Sequence, residues 1–216
     1  MPVLLLDLDK TLVNVEDFTD YCSALRELEA RGFAATSAGP ETYWGKCTKK
    51  VMDILLSLSG DEWIEANKVV ERYEIEGAER AVPMPYLQYF LENTLDMPKA
   101  IVTLLGAAAT KRVLERFNIA VNAVVSREPG IKPKPHPDPV LKALSLLGVS
   151  PEKAVMIGDS EWDELSAKAA GVRFIAVTNG REKHFFTTPF ITRDLKPPPM
   201  RRRRRSRCGP RRSSRS

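Results

Sequence analysis

At 216 residues and 24.2 kDa, with 43% hydrophobic and 28% charged residues, the chain has the composition of an ordinary soluble globular protein of one or two domains. Its three cysteines, Cys22, Cys47 and Cys208, are odd in number, scattered and without a CxxC pair; this argues against a disulfide scaffold or a cysteine-based zinc site and points to a reducing, cytoplasmic setting. The net charge of +5 is set by the C-terminus, where residues 200–216 hold nine of the 33 basic residues and no acid, so the rest of the chain, with 28 acidic residues, is mildly acidic and gives no ground for a nucleic-acid surface. The apolar run at 2–6 is too short to span a membrane, and it lacks the basic leader and cleavage site of a signal peptide.

Residues 3–7 (VLLLD) form a continuous apolar run ending in an acid, the pattern of a strand buried on both faces of a parallel sheet. Similar runs recur at 100–103, 121–125, 154–158 and 173–178. Between them lie helical patterns: 107–117 with Val113, Leu114 and Phe117; 138–147 with Leu141, Leu144 and Leu147; and 161–170 with Leu165 and Ala169. Gly148 and Gly171 stop the last two. Strands alternating with helices of this length predict an α/β fold, with a five-stranded parallel sheet of Rossmann-like type and helices on both faces.

Residues 14–86 break the alternation. They read as helices at 15–31, 41–58 and 61–76, with apolar faces formed by Leu25 and Leu28, then Ile54, Leu55 and Leu58, then Ile64, Val69 and Tyr73. This predicts an all-helical insert of 14–86 in an α/β core made of 1–13 and 87–196. Trp63 and Tyr73 read as core. Beyond a run of three prolines, the Arg-rich stretch 197–216 has no apolar periodicity and is expected to be disordered. It reads as an electrostatic arm for nucleic acid, ribosome or anionic lipid, as a solvated terminus with no role, or as a sequence accident at the end of an open frame; only binding that falls steeply with salt and is lost on deleting 200–216 would favour the arm.

Four loops follow strands, the place where open parallel sheets bind ligands. Asp7–Leu8–Asp9–Lys10–Thr11 and Gly158–Asp159–Ser160–Glu161–Trp162–Asp163 put four carboxylates, those of Asp7, Asp9, Asp159 and Asp163, into two turns. Carboxylates crowded at strand ends repel and are costly to bury, so an oxygen-held dication, most plausibly Mg2+, would neutralise them. Thr103 is a hydroxyl at a strand end before a helix, where a phosphate oxygen is a natural acceptor. The segment 132–139 holds four prolines that stiffen it enough to aim one ammonium. Ser160 has no histidine partner and reads as the cap of the following helix. His136 and His184 form no metal pair. In the insert, Tyr43, Trp44, Lys46, Lys49 and Lys50 read either as a solvated face with a packed aromatic pair or as groups turned toward the site.

The order DxDxT, strand-end Thr, KPxPD, GDSxxD over residues 1–196 resembles the haloacid dehalogenase-like superfamily, and within it the phosphoglycolate phosphatase and β-phosphoglucomutase group, whose helical cap follows the first motif. The resemblance implies that Asp7 is a nucleophile forming an aspartyl-phosphate and that Asp9 is the general acid and base. It implies Mg2+ held by Asp7, the Asp9 carbonyl and Asp159 with support from Asp163, and phosphoryl oxygens bound by Thr103 and Lys134, with Thr11 fixing the first loop. An acid at Asp9 favours phosphoryl transfer over carbon–halogen cleavage. The implied substrate is a small phosphorylated metabolite; a phosphomutase with the same motifs, and a weakly active binding protein working through its basic tail, are the alternatives. Three departures stand out: Lys10 where glycine is usual, Leu104 where the threonine is usually followed by asparagine, and two lysine frames, of which Lys134–Pro135–His136–Pro137–Asp138 fits better than the frame starting at Lys132.

Overall fold

The computed structural model describes residues 2–196; the expectation for 197–216 lies outside them. The first strand, β1 (Val3–Leu6), leads into a two-residue strand β2 (Val13–Asn14). Helices α1 (Tyr21–Ala30), α2 (Lys46–Ser57) and α3 (Gly60–Arg80) follow, and β3 (Val82–Pro83) returns antiparallel to β2, so chain exit and return are stapled side by side. The remainder alternates: α4 (Leu87–Asn93), β4 (Lys99–Gly106), α5 (Ala107–Arg116), β5 (Ala123–Arg127), α6 (Asp138–Leu147), β6 (Ala154–Gly158), α7 (Glu161–Ala169), β7 (Arg173–Val177) and β8 (Ile191–Thr192).

The main sheet has the order β5-β4-β1-β6-β7-β8, with every pairing parallel. It holds one strand more than the five expected: β8 is only two residues long and carries no run a sequence pattern could register. Alternate residues of β1 serve opposite faces. Leu4 and Leu6 join Ile101, Val113 and Ile157 on one side, while Val3 and Leu5 join Val102, Val140, Leu144 and Met156 on the other. Helices cover both faces, which is why the central strands read as unbroken apolar runs.

Two helical stripes differ from expectation. Leu141 on α6 and Leu165 on α7 are exposed, and Ala169 faces out as well. The buried faces are instead Val140, Ala143 and Leu144, and Trp162, Ser166 and Ala167. Ala143 and Ala167 pack against the sheet, and Leu141 and Leu165 turn outward while Leu144 stays in the core as expected.

The helical insert packs around Ala24, Leu28, Val51, Leu55, Ala66 and Val70. The helix expected over 15–31 is broken: a 3-10 turn at Glu16–Phe18 ends at Thr19 in extended backbone. Then α1 restarts, with the Asp20 carboxylate accepting from the Ser23 amide at 2.9 Å. Cys22 and Cys47, each the second residue of its helix, form a disulfide between α1 and α2. The cysteine pattern argues against disulfide bonding, and this pair departs from that expectation. A separation of 25 residues says nothing of pairing until two helices bring their first turns together. Among the described residues no helix is long and apolar enough to cross a membrane.

Insert and core are joined by buried contacts. Trp162, next to the fourth motif, is fully buried in the insert's cluster and donates its indole N–H to the Pro40 carbonyl at 2.8 Å. Gly39 lies so close that a Cβ there would stand 2.4 Å from the Trp162 ring. Behind them, Glu74 of α3 and Arg127 of β5 form an ion pair at 2.8 Å with both side chains sealed from solvent.

Candidate active site

The sheet order places the carboxyl end of β1 between those of β4 and β6, which is where open parallel sheets gather ligands. Leu6 is in register with Ile157, and the Asp7 amide donates to the Ile157 carbonyl at 2.9 Å, so the chain leaves β1 and β6 together. Asp7 and Asp159 thus emerge at one edge. Carboxylate oxygens of Asp7, Asp159 and Asp163 lie within 4.8 Å of one another, all three buried.

Each acid has a distinct set of partners. The Thr11 hydroxyl lies 3.0 Å from Asp7 Oδ2 and 3.4 Å from Asp159 Oδ1. Lys134, itself buried, donates from Nζ to Asp7 Oδ1 at 2.8 Å, Asp163 Oδ1 at 2.5 Å and the Val102 carbonyl at 3.0 Å. Lys132 is exposed, so of the two lysine frames the one at Lys134 reaches the carboxylates. Asp163 also closes a capping box with Ser160, whose hydroxyl donates to Asp163 Oδ2 at 2.6 Å; Ser160 caps α7. Gly158 permits this approach, since a Cβ there would meet the Asp163 side chain at 2.7 Å.

Asp9 points elsewhere. Its carboxylate accepts the Val15 and Glu16 amides at 2.8 and 3.0 Å, which fixes it beside the 3-10 turn rather than in the cluster of three. Thr103 is buried at the cavity wall and its hydroxyl accepts from the Leu105 amide at 3.2 Å. Thr11 is buried behind the carboxylates and does not line the cavity, so its position suits orienting Asp7 and Asp159 rather than touching a phosphate.

The electrostatics follow from burial. Burial pushes the Asp7 carboxyl up to about 6, with the Lys134 ammonium opposing it. Burial, reinforced by the Glu16 carboxylate, pushes Asp9 up to about 8. Asp159 is raised well above the usual carboxylate range by burial and then by Asp7 and Asp163. Burial works against the Lys134 charge, but Asp163 and Asp7 outweigh it and keep it protonated. Three carboxylates against the Lys134 ammonium and the more distant Arg181 guanidinium leave a surplus of negative charge in an all-oxygen donor set, and such a set fits a hard divalent cation.

The cavity above these groups measures about 40 Å3, room for little more than a water molecule. The insert closes it. The Tyr43 hydroxyl donates to Asp159 Oδ2, and the Arg181 guanidinium lies 3.5 Å over the Tyr43 ring and 3.6 Å from the same carboxylate. Tyr21, Trp44, Thr48 and Met52 complete the roof. Of these, Tyr43 and Trp44 were open candidates in the sequence. Arg181 and Glu16 were not singled out: Arg181 follows the last long strand, β7, a place the strand-end rule marks, whereas Glu16 had no signal.

The departures also find their places. Lys10 has a φ of +56°, the left-handed region where glycine is favoured, and its Nζ pairs with Asp17 at 2.5 Å. Leu104 packs on the insert's apolar cluster, while its carbonyl accepts from Arg127 at 2.6 Å.

Comparison with known proteins agrees with this architecture. A putative pyrophosphatase PpaX from Caldanaerobacter subterraneus is 48% identical over 80 residues, which is 36% of each chain. A phosphoglycolate phosphatase from Aquifex aeolicus is 29% identical over 181 residues, covering 80% of this chain and 83% of that one. The phosphoglycolate phosphatase of Escherichia coli strain K12 is 31% identical over 121 residues, where the match spans 47% of the relative's length. A hydrolase from Pseudomonas syringae superposes with a TM-score of 0.69 at 18% identity, over 90% of this chain and 94% of that one. CbbY from Rhodobacter sphaeroides, solved with phosphate, gives 0.67 at 18% identity over 90% and 95%; these two share the fold. The family model described as haloacid dehalogenase-like hydrolase matches residues 4–177, and the chain belongs to that family.

Proposed function

We propose that the chain hydrolyses a small phosphomonoester with Asp7 as nucleophile and Asp9 as acid and base. One observation carries this reading: Asp7, Lys134, Asp159 and Asp163 converge on the floor of one cavity while Asp9 stands apart at its side. Asp7, with its pKa near 6, is a carboxylate at neutral pH; Asp9, near 8, carries a proton. An attacking anion and a proton donor are thus present together, because their surroundings push the two acids apart.

In the first half, a carboxylate oxygen of Asp7 attacks phosphorus, the bond to the leaving oxygen breaks, and Asp9 delivers its proton to that oxygen. In the second, Asp9 takes a proton from water, the water oxygen attacks phosphorus, and the bond to Asp7 breaks to release phosphate. Asp7, Asp159 and Asp163 would hold Mg2+, whose positive charge would offset the charge on the phosphoryl oxygens. Lys134 holds Asp7 in place and adds charge, and Thr103 offers a hydroxyl to a phosphoryl oxygen. Thr11 orients Asp7 and Asp159. The relatives named phosphoglycolate phosphatase and pyrophosphatase support phosphoryl transfer to water over an internal phosphate shift.

Phosphate release from a panel of phosphomonoesters with Mg2+ tests the proposal. Wild type is expected to turn over and Asp7→Asn to lose at least a thousandfold in kcat, since the attacking oxygen is replaced. Activity that survives in Asp7→Asn would sink the reading.

A further inference from the structure

We propose that Glu16 is a specificity-determining residue that selects against leaving groups bearing a second negative charge. It follows that the substrate is a phosphomonoester of an uncharged or, better, an amino-bearing alcohol. The inference rests on the phosphatase reading and departs from what the names of the relatives would suggest, since phosphoglycolate and pyrophosphate each carry a second anionic group.

The geometry begins with Asp9. The group that protonates the leaving oxygen must lie on the leaving-group side of the phosphorus. Asp9 is tied to the Glu16 amide at 3.0 Å, so Glu16 is fixed next to that side through the backbone, whatever position the segment carrying Tyr43 adopts. Glu16 lines the cavity together with the uncharged Tyr21, Trp44, Thr48, Met52 and Leu104.

Charge balance then decides the class. An enzyme acting on phosphoglycolate needs a cation for the carboxylate, and one acting on pyrophosphate needs cations for the second phosphate. Among the described residues, the two basic side chains that line this cavity each have a carboxylate: Lys134 has Asp7 and Asp163, and Lys10 has Asp17; Arg181 stands behind the Tyr43 ring, 3.6 Å from Asp159, and does not line it. Glu16 has no such partner among the described residues. A carboxylate leaving group would meet one more carboxylate at close range, and an ammonium would meet its complement.

Three nearly isosteric substrates read this directly: phosphoethanolamine, 2-hydroxyethyl phosphate and phosphoglycolate, differing at the far end by an ammonium, a hydroxyl and a carboxylate. Wild type is expected to rank them in that order by kcat/KM. In Glu16→Gln the ratio of phosphoethanolamine to phosphoglycolate should fall about tenfold, and in Glu16→Lys it should reverse. Using the ratio cancels any effect of Glu16 on Asp9, which is common to all three. A wild-type preference for phosphoglycolate, or a ratio unchanged by Glu16→Gln, overturns the proposal. Binding of the same three compounds to Asp7→Asn with Mg2+, followed by thermal shift, must show the same order. If wild type releases phosphate from none of them nor from p-nitrophenyl phosphate, the phosphatase reading fails, and the binding order alone then upholds or overturns the role of Glu16.

Discussion

Tyr43, from the segment between α1 and α2, places its hydroxyl on the carboxylate of Asp159, at the end of β6 and 116 residues away in sequence. Burial, then the Asp159 charge, raise the Tyr43 pKa well above its ordinary value, so the hydroxyl remains a neutral donor. A cation bound at Asp7 and Asp159, as proposed, would compete with that hydrogen bond.

Removing the hydroxyl should therefore help the cation. In Tyr43→Phe the ring still lies under Arg181, but Asp159 Oδ2 loses a partner. A hydrogen bond to a charged group contributes about 1.5 kcal/mol net, so affinity for Mn2+ should rise about tenfold, measurable by calorimetry or by the signal of free Mn2+. Unchanged or weaker binding would show that Tyr43 does not oppose the ion.

The ion pair of Glu74 and Arg127 makes a second prediction. Glu74 also accepts from Tyr21 at 3.2 Å and from the Gly106 amide at 2.9 Å, and Arg127 donates to Asn67 at 2.6 Å and to the Leu104 carbonyl. The network thus joins α1 and α3 to the ends of β4 and β5, next to Thr103. Arg127→Met leaves a buried carboxylate without its cation and should cost about 3–5 kcal/mol in denaturant unfolding, while the double variant with Glu74→Leu should recover much of it. A single-variant loss below about 1 kcal/mol would mean that water or rearrangement satisfies Glu74.

What could be read from the sequence followed from burial. Strands covered on both faces leave runs such as 3–6 and 154–157, and the acids that end those runs mark the candidate site. That Asp7 and Asp159 share an edge came through the resemblance, because strand order is not written in any one run. The outward turn of Leu141 and Leu165 was not legible: small residues such as Ala143 and Ala167 fit against the sheet better than spacing alone suggests. The pairing of Cys22 with Cys47 depends on how two helices pack, and a lone Glu16 on a presumed helix is indistinguishable from a solvated charge until the 3-10 turn sets it beside Asp9.

Asp9 gives the last prediction, for the metal-free protein. Its pKa in the fold, about 8, lies above the 3.8 of an unperturbed aspartate. The folded state therefore binds more protons than the unfolded state between these values, and the stability contribution of Asp9 falls as pH rises through that window. In Asp9→Asn the group is neutral at every pH, and its Oδ1 can still accept the Val15 and Glu16 amides. The melting temperature of Asp9→Asn minus that of wild type should grow from pH 5 to pH 8 and level off above. Asp7, near 6 in the wild type, is present in both proteins and cancels from the difference to first order. A difference that is flat or shrinks with pH over this range would mean that Asp9 is ionised in the fold, and Asp9 would then have no proton to give a leaving group at neutral pH.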